Sequence, residues 1–172
     1  EEGQNMTNLS LSQPVLVTGA TGFIGGRLVE RLLSEGCDVQ ALVLPNEEVP
    51  STWGDRVRVF RGDVTDPPTV GAATPEGGTV FHLVAVVTDW APKELFEQVT
   101  LGGTRNVIEL AAQKKNRVVM TSSIVVYGDQ LGRTVCSEEN EWGRPMGMYS
   151  DSKQKQERLA LEIASEGNLD IT

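Results

Sequence analysis

The stretch "PVLVTGATGFIGGRLVERLLSEG", residues 14–36, constrains the fold more than any other part of the chain. "VLVTG" is a short apolar run that ends at a glycine. After "GATGFIG", Ile24, Leu28 and Leu32 recur every four residues until Gly36 stops the pattern. The reading is a buried strand, a glycine turn and an amphipathic helix in direct succession. Gly19, Gly22 and Gly25 stand at three-residue spacing at the strand-to-helix junction. Backbone atoms that must approach a pyrophosphate at a helix N-terminus need glycine there, because unpaired amides face the anion and a Cβ would intrude. The alternative is a tight structural turn with close helix packing. The spacing G-x-x-G-x-x-G departs from the G-x-G-x-x-G form of many dinucleotide sites.

The same alternation continues downstream. "DVQALVL", ended by Pro45, reads as a second strand, "RVRVFRG" as a third, "TVFHLVAVV" as a fourth and "RVVMTSS" as a fifth. Between them, "DPPTVGAATPEGG" is too rich in Pro and Gly for more than a short crossover. "PKELFEQVTLGGTRNVIELAAQKK" predicts a long helix, weak at Gly102-Gly103, with Lys114 and Lys115 at its negative dipole end. A last helix is predicted from about Tyr149 to Glu166, capped by Gly167, and "LDIT" starts a sixth strand. The long loop "YGDQLGRTVCSEENEWGRPMGM" exceeds ordinary connections, as functional loops do. Short apolar strands alternating with helices imply crossover units and a parallel α/β sheet covered on both faces.

A chain of 172 residues has enough length for one domain without disulfides or a structural metal. Lys and Arg number 15 against 24 Asp and Glu, for a net charge of -9, which argues against nucleic acid or an anionic membrane as partner. Cys37 and Cys136 are expected to be reduced thiols, and His82, the sole histidine, leaves no His/Cys cluster for zinc. No apolar segment is long enough to span a bilayer, and "EEGQNMTNLSLSQP" lacks a signal-peptide layout. Residues 1–13 are therefore expected to be a disordered lead-in to a cytoplasmic domain.

Several residues are candidates for chemistry. The end of the second strand ordinarily carries an acid that accepts from the adenosine ribose, or a base that pairs with a 2'-phosphate. Val43 and Leu44 occupy those places, so NAD and NADP stay open. Asn46 and Glu47 are within reach, with a solvated loop the preferred reading. Asp63 and Val64, after the third strand, suit the adenine end, with a turn cap as the alternative role for Asp63. Ser122 and Ser123 fall at the carboxyl end of the fifth strand, where open parallel sheets bind ligands. Tyr149 and Lys153, one helical turn apart, can reach a common point, where the ammonium lowers the phenol's pKa and the phenol exchanges a proton with an alcohol or ketone. Ser123 would steady the substrate oxygen. The competing reading is a solvated first turn, with the Tyr against the sheet and Lys153 paired to Glu157.

Taken together in this order, "LVTGATGFIG", "RGDVTD", "FHLVA", "GGTRNVIELA", "TSSIVVYG", "YSDSK" and "LDIT" resemble the extended short-chain dehydrogenase/reductase family, the NAD-dependent epimerase/dehydratase group. The likeness covers residues 14–172. It implies a Rossmann-type doubly wound sheet, cut at the start of the sixth strand, and a C-terminal substrate-binding portion that these residues lack. It implies Tyr149 as acid/base, Lys153 as its partner and ribose clamp, and Ser123 as the substrate-oxygen donor, with Thr121 and Ser122 lining the same strand end. Gly19, Thr21, Gly22, Phe23, Ile24 and Gly25 would hold the pyrophosphate of NAD or NADP. Asp63 and Val64 would border adenine, Leu83, Val84 and Ala85 would pass the cofactor, and His82 would be structural. The implied activity is nucleotide-sugar epimerisation or dehydration. A carbonyl reductase or 3-beta-hydroxysteroid dehydrogenase, and a non-catalytic dinucleotide module, are the alternatives. The two long helices could pair in a homodimer. Thr100 stands where the family usually has an Asn that anchors the helix backbone and an ordered water.

Overall fold

The computed structural model describes residues 11–172. The expected lead-in falls largely on residues 1–10, outside the described residues. Of the remainder, Ser12 O accepts from Thr79 Oγ1 at 2.8 Å, Gln13 Oε1 accepts from the Asp38 N–H at 2.7 Å, and Leu11 packs on the core.

Five parallel strands run in the order β3-β2-β1-β4-β5: β1 Val15–Thr18, β2 Val39–Val43, β3 Val57–Arg61, β4 Thr79–His82 and β5 Arg117–Met120. Every residue of β1 and β2 is buried, which is why both read as mainly apolar runs rather than alternating ones, with Gln40 and Thr18 the buried polar members. The two-residue pleat divides them between two cores. Val15, Val17, Ala41 and Val43 point to a layer shared with Val29, Leu32 and Trp53. Leu16 and Leu42 face the opposite layer with Val70, Val107, Ile108, Ala160 and Ile163. The first layer is closed by α1 (Phe23–Ser34), the second by α2 (Pro67–Ala73), α4 (Gly103–Gln113) and α5 (Met148–Gly167). Val107, Ile108 and Ala111 of α4 and Ala160, Ile163 and Ala164 of α5 are thus buried within the chain, while Leu161 of α5 stays 51% exposed. The beginning of a sixth strand is present as a parallel bridge from Ile171 to Val118, with Met120 N–H donating to Thr172 O at 2.8 Å.

Several elements differ from expectation. The buried stripe of α1 is Gly25, Val29 and Leu32, not Ile24, Leu28 and Leu32; Ile24 is 56% exposed. Close contact between Gly25 and the turn rotates the helix by one position. The fourth strand ends at His82 rather than continuing to Val87, and the fifth at Met120. The predicted long helix is present without a break from Lys93 to Gln113, but its middle is wound wider: a first turn at Lys93–Leu95 (α3) passes through a π-helical segment Phe96–Gly102 into α4, with right-handed helical backbone at both junctions. Gly103 is a close-approach position as well as a weak one, since a Cβ there would lie 2.6 Å from Val64 Cγ2. Lys114 serves another helix: its Nζ donates to Gly71 O and Thr74 O at 2.7 Å each, at the C-terminus of α2. Gly167 is the last residue of α5, and Asn168 takes the left-handed cap at φ 49°. The long loop opens with a 3₁₀ segment, Ile124–Gln130. Among the described residues no helix is long and apolar enough to cross a membrane.

Candidate functional site

Glycine shapes the junction of β1 and α1. Gly19 leaves the strand at φ +68°, the left-handed region, and a Cβ on it would meet Val84 Cγ2 at 3.2 Å. In the first turn of α1, a Cβ on Gly25 would lie 2.1 Å from the Gly19 carbonyl oxygen, which also accepts from the Gly22 N–H at 3.1 Å. The helix can abut the strand this closely only with glycine. Its first amides, with no side-chain cap at Gly22, are left at the mouth of a cleft.

That cleft has a volume of about 580 Å³. Gly19, Thr21, Gly22, Phe23, Ile24 and Gly25 form one wall. Asp63 and Val64 from the end of β3, and Leu83, Val84 and Ala85 from the end of β4, form the rest of the predicted lining. Leu42, Leu44 and Glu47, around the end of β2, close it. The exposure of Phe23 and Ile24, anomalous for a core-facing helix, is explained by this wall. Asp63 also makes the turn that was its alternative role, with Oδ1 accepting from the Thr65 N–H at 2.8 Å.

Thr121, Ser122, Ser123, Tyr149 and Lys153 do not line that cleft. Thr121, Ser122 and Ser123 follow β5, Tyr149 and Lys153 lie in the first turns of α5, and hydrogen bonds from Ser150 and Lys153 tie the two segments together. Ser123 begins the 3₁₀ segment and its Oγ accepts from the Val125 N–H at 3.3 Å. The Val125 carbonyl in turn accepts from Ser150 Oγ at 2.8 Å, which ties the residue after Tyr149 to the segment Ser123 opens. Lys153 does not pair with Glu157. Its Nζ donates to Thr121 O at 2.7 Å and to Gln156 Oε1, while Ser122 Oγ donates to Glu157 Oε2. Lys153 is only 3% exposed. Burial pulls its pKa down to about 8, against an opposing pull from the Glu157 charge.

A polar chain runs from that ammonium through the core. Gln156, 1% exposed, donates from Nε2 to Thr104 Oγ1 at 2.8 Å and to Val84 O at 3.3 Å, so its oxygen faces Lys153. Thr104 Oγ1 meets His82 Nε2 at 2.9 Å, and His82 Nδ1 meets Thr18 Oγ1 at 2.8 Å. Burial, reinforced by the Lys153 charge, lowers the His82 pKa to about 3, so the ring is neutral and fits between two hydroxyls. The end of β1 and the base of α5 are thereby joined across β4 and α4.

Sequence reasoning missed Gln156, Thr104 and Asp89, and preferred a solvated loop for Glu47, which instead lines the cleft. Asp89 Oδ1 accepts from the Tyr149 N–H at 2.9 Å and so caps α5 from the loop after β4. One signal was available: Gly147, at the N-cap, has no side chain to cap with.

The comparisons agree with this architecture. The model of the NAD dependent epimerase/dehydratase family matches residues 15–172. The chain belongs to that family. The D-erythronate dehydrogenase of Cupriavidus necator is 33% identical over 91% of this chain and 52% of its own length. Cinnamoyl-CoA reductase 2 of Medicago truncatula is 34% identical over 92% of this chain and 52% of its own. A solved structure of MoeE5 with UDP-glucose and NAD superimposes with a TM-score of 0.75 at 32% identity, covering 93% of this chain and 52% of that one. The chain spans about half the length of the curated relatives it matches. Thr100, fully buried in the π segment, accepts through Oγ1 from the Val86 N–H at 3.0 Å and holds the loop after β4.

Proposed function

We propose that these residues form the dinucleotide-binding portion of an NAD(P)-dependent nucleotide-sugar epimerase or dehydratase. The observation that carries the reading is the cleft at the carboxyl ends of β1 to β4, walled by a turn in which a Cβ at Gly25 would strike the Gly19 carbonyl. A cradle that excludes side chains, at a helix N-terminus, suits a pyrophosphate, and the apolar flank of Leu42, Val64 and Val84 suits an adenosine. MoeE5, similar over almost the whole chain, is solved with UDP-glucose and NAD.

In this reading the nicotinamide supplies hydride acceptance and return. Tyr149 takes the proton of a sugar hydroxyl as it is oxidised and gives it back on reduction. Two of the three Lys153 N–H donors are held by Thr121 O and Gln156 Oε1, leaving one for a ribose hydroxyl. Ser123 keeps its hydroxyl proton while accepting from Val125, so it can donate to the substrate oxygen. Thr121 and Ser122 hold the strand end through Lys153 and Glu157.

A second reading, a carbonyl reductase of the same family, is favoured by the exposed Val87 and Trp90 after β4, 74% and 95% accessible, and by the likeness to cinnamoyl-CoA reductase. Net cofactor turnover separates the two. The natural full-length protein, given UDP-glucose and catalytic NAD, should yield an altered sugar nucleotide with no accumulation of NADH. Stoichiometric consumption of NADPH with a ketone would instead establish the reductase. Self-association through α4 and α5 is part of the same proposal, and the native mass tests it.

A further inference from the structure

The end of β2, where open dinucleotide sheets read the adenosine ribose, offers Val43 and Leu44 and no charge. The following loop supplies one. Glu47 N–H donates to Leu44 O at 3.1 Å, and Glu47 Oε2 accepts from the Leu44 N–H at 3.4 Å and from Thr21 Oγ1. A carboxylate three residues downstream is thus folded back onto the strand end and tied to the glycine turn. Arg61, at the end of β3, fixes the loop: its guanidinium lies 3.0 Å from the Pro45 and Glu47 carbonyls and 3.4 Å from that of Leu44. Among the described residues no protein donor meets Glu47 Oε1. Glu47 and Asp63 are the charged side chains that line the cleft, and neither Lys nor Arg does.

We propose that Glu47 makes this cleft selective for NAD over NADP. It substitutes for the acid missing from β2, with Oε1 free to accept from the adenosine ribose and its charge set against a 2'-phosphate. A phosphate monoester carries close to two negative charges at neutral pH, and a carboxylate beside it is strongly unfavourable. Arg61 is a cation against the same loop, but its NH1 is turned toward three carbonyls. Removal of the Glu47 charge takes away this repulsion and leaves the Arg61 guanidinium behind the same loop, so the variant should gain NADP affinity as well as lose NAD affinity. The inference rests on the dinucleotide reading above.

The test is calorimetric titration of NAD and of NADP into the natural full-length protein, and into Glu47→Gln and Glu47→Lys, at about 0.15 M salt so that only near charges act. Wild type should bind NAD at least about thirtyfold more tightly than NADP. Glu47→Gln should narrow that ratio about tenfold, equivalent to about 1.4 kcal/mol, and Glu47→Lys should invert it. An unchanged ratio in both variants, or a wild type that prefers NADP, overturns the assignment of Glu47 and leaves the dinucleotide reading standing. Failure of wild type to bind either dinucleotide at millimolar concentration overturns that reading and this inference with it. Glu47 is exposed, so the variants are expected to fold, which circular dichroism verifies.

Discussion

The buried amide of Gln156 should set the protonation of Lys153, and replacing it by methionine tests this at nearly constant volume. Lys153 has two acceptors, Thr121 O and Gln156 Oε1. A hydrogen bond to an ammonium is worth about 1.5–3 kcal/mol and one to a neutral amine about 0.5–1.5, so losing the amide oxygen penalises the charged form by roughly 1–1.5 kcal/mol. That is about one pKa unit. Gln156→Met is therefore expected to move Lys153 about one unit below its present value of about 8. Gln156→Glu should move it the other way by about 1–3 units, because a carboxylate in contact favours the ammonium. Glu157, His82 and the Ser122 hydroxyl also surround this group, and they are common to all three proteins. NMR of lysines labelled with carbon-13 at Cε, titrated from about pH 6 to about pH 11, reads the shift directly.

Linkage gives an independent readout. A lysine whose folded pKa is about 8 against 10.5 unfolded binds fewer protons in the native state between those values, so stability climbs with pH across that window and is flat below it. In Gln156→Met the climb should begin about one unit lower, with stability at neutral pH reduced by about 2–3 kcal/mol through the stranded Val84 carbonyl and Lys153 donor. Lys153 shifts of the same sign in the Met and Glu variants, or none larger than about 0.3 unit, would refute the coupling and leave Gln156 as core filling.

Gly25→Ala forces a Cβ to within 2.1 Å of the Gly19 carbonyl, so α1 must move away from β1. Urea unfolding should show a loss of at least about 2 kcal/mol, and calorimetry a loss of dinucleotide binding. Asp89→Ala removes the remote cap on Tyr149 and should cost about 1 kcal/mol, whereas Asp89→Asn should retain most of it. Equal losses in both would mean that the charge, not the hydrogen bond, matters. His82 is held neutral with a pKa of about 3 against 6.5 unfolded, so its contribution is fully present above pH 6.5 and is lost as pH falls toward 3. Between pH 6.5 and 5 wild type should lose about 1.6 kcal/mol, and His82→Gln should flatten that slope in paired urea titrations.

What was legible in the sequence is what local spacing determines. The strands of a two-sided parallel sheet must be apolar throughout, and a turn that presses a helix onto a strand must be glycine. The parallel alternation and the glycine turn followed from those needs and Asp63 and Val64 from their place after the third strand, whereas Leu83 and Val84 came from the family resemblance and the strand order from the structure. The face of α1 did not, because a stripe at four-residue spacing and one offset by a single position share Leu32. The choice falls to Gly25, whose contact is with the turn and not with its own helix.

The residues that escaped are those whose partners lie far along the chain. Asp89 caps a helix 60 residues away and Gln156 reaches Thr104 across 52; Glu47, within reach of the ribose in the sequence but read there as solvated loop, reaches Thr21 across 26. Each is a polar side chain in an unremarkable sequence neighbourhood, and each satisfies a need created only by folding: an uncapped helix start, a buried ammonium, a strand end without a charge. Such needs can be listed before the structure is known, even when the residue that meets them cannot. The absence of Ser, Thr, Asp or Asn before Met148 required a remote cap. A lysine on the inward face of α5 required acceptors. The uncharged end of β2 likewise made an acid or a base from elsewhere the thing to look for, and Glu47, folded back by Arg61, is the group that arrives there.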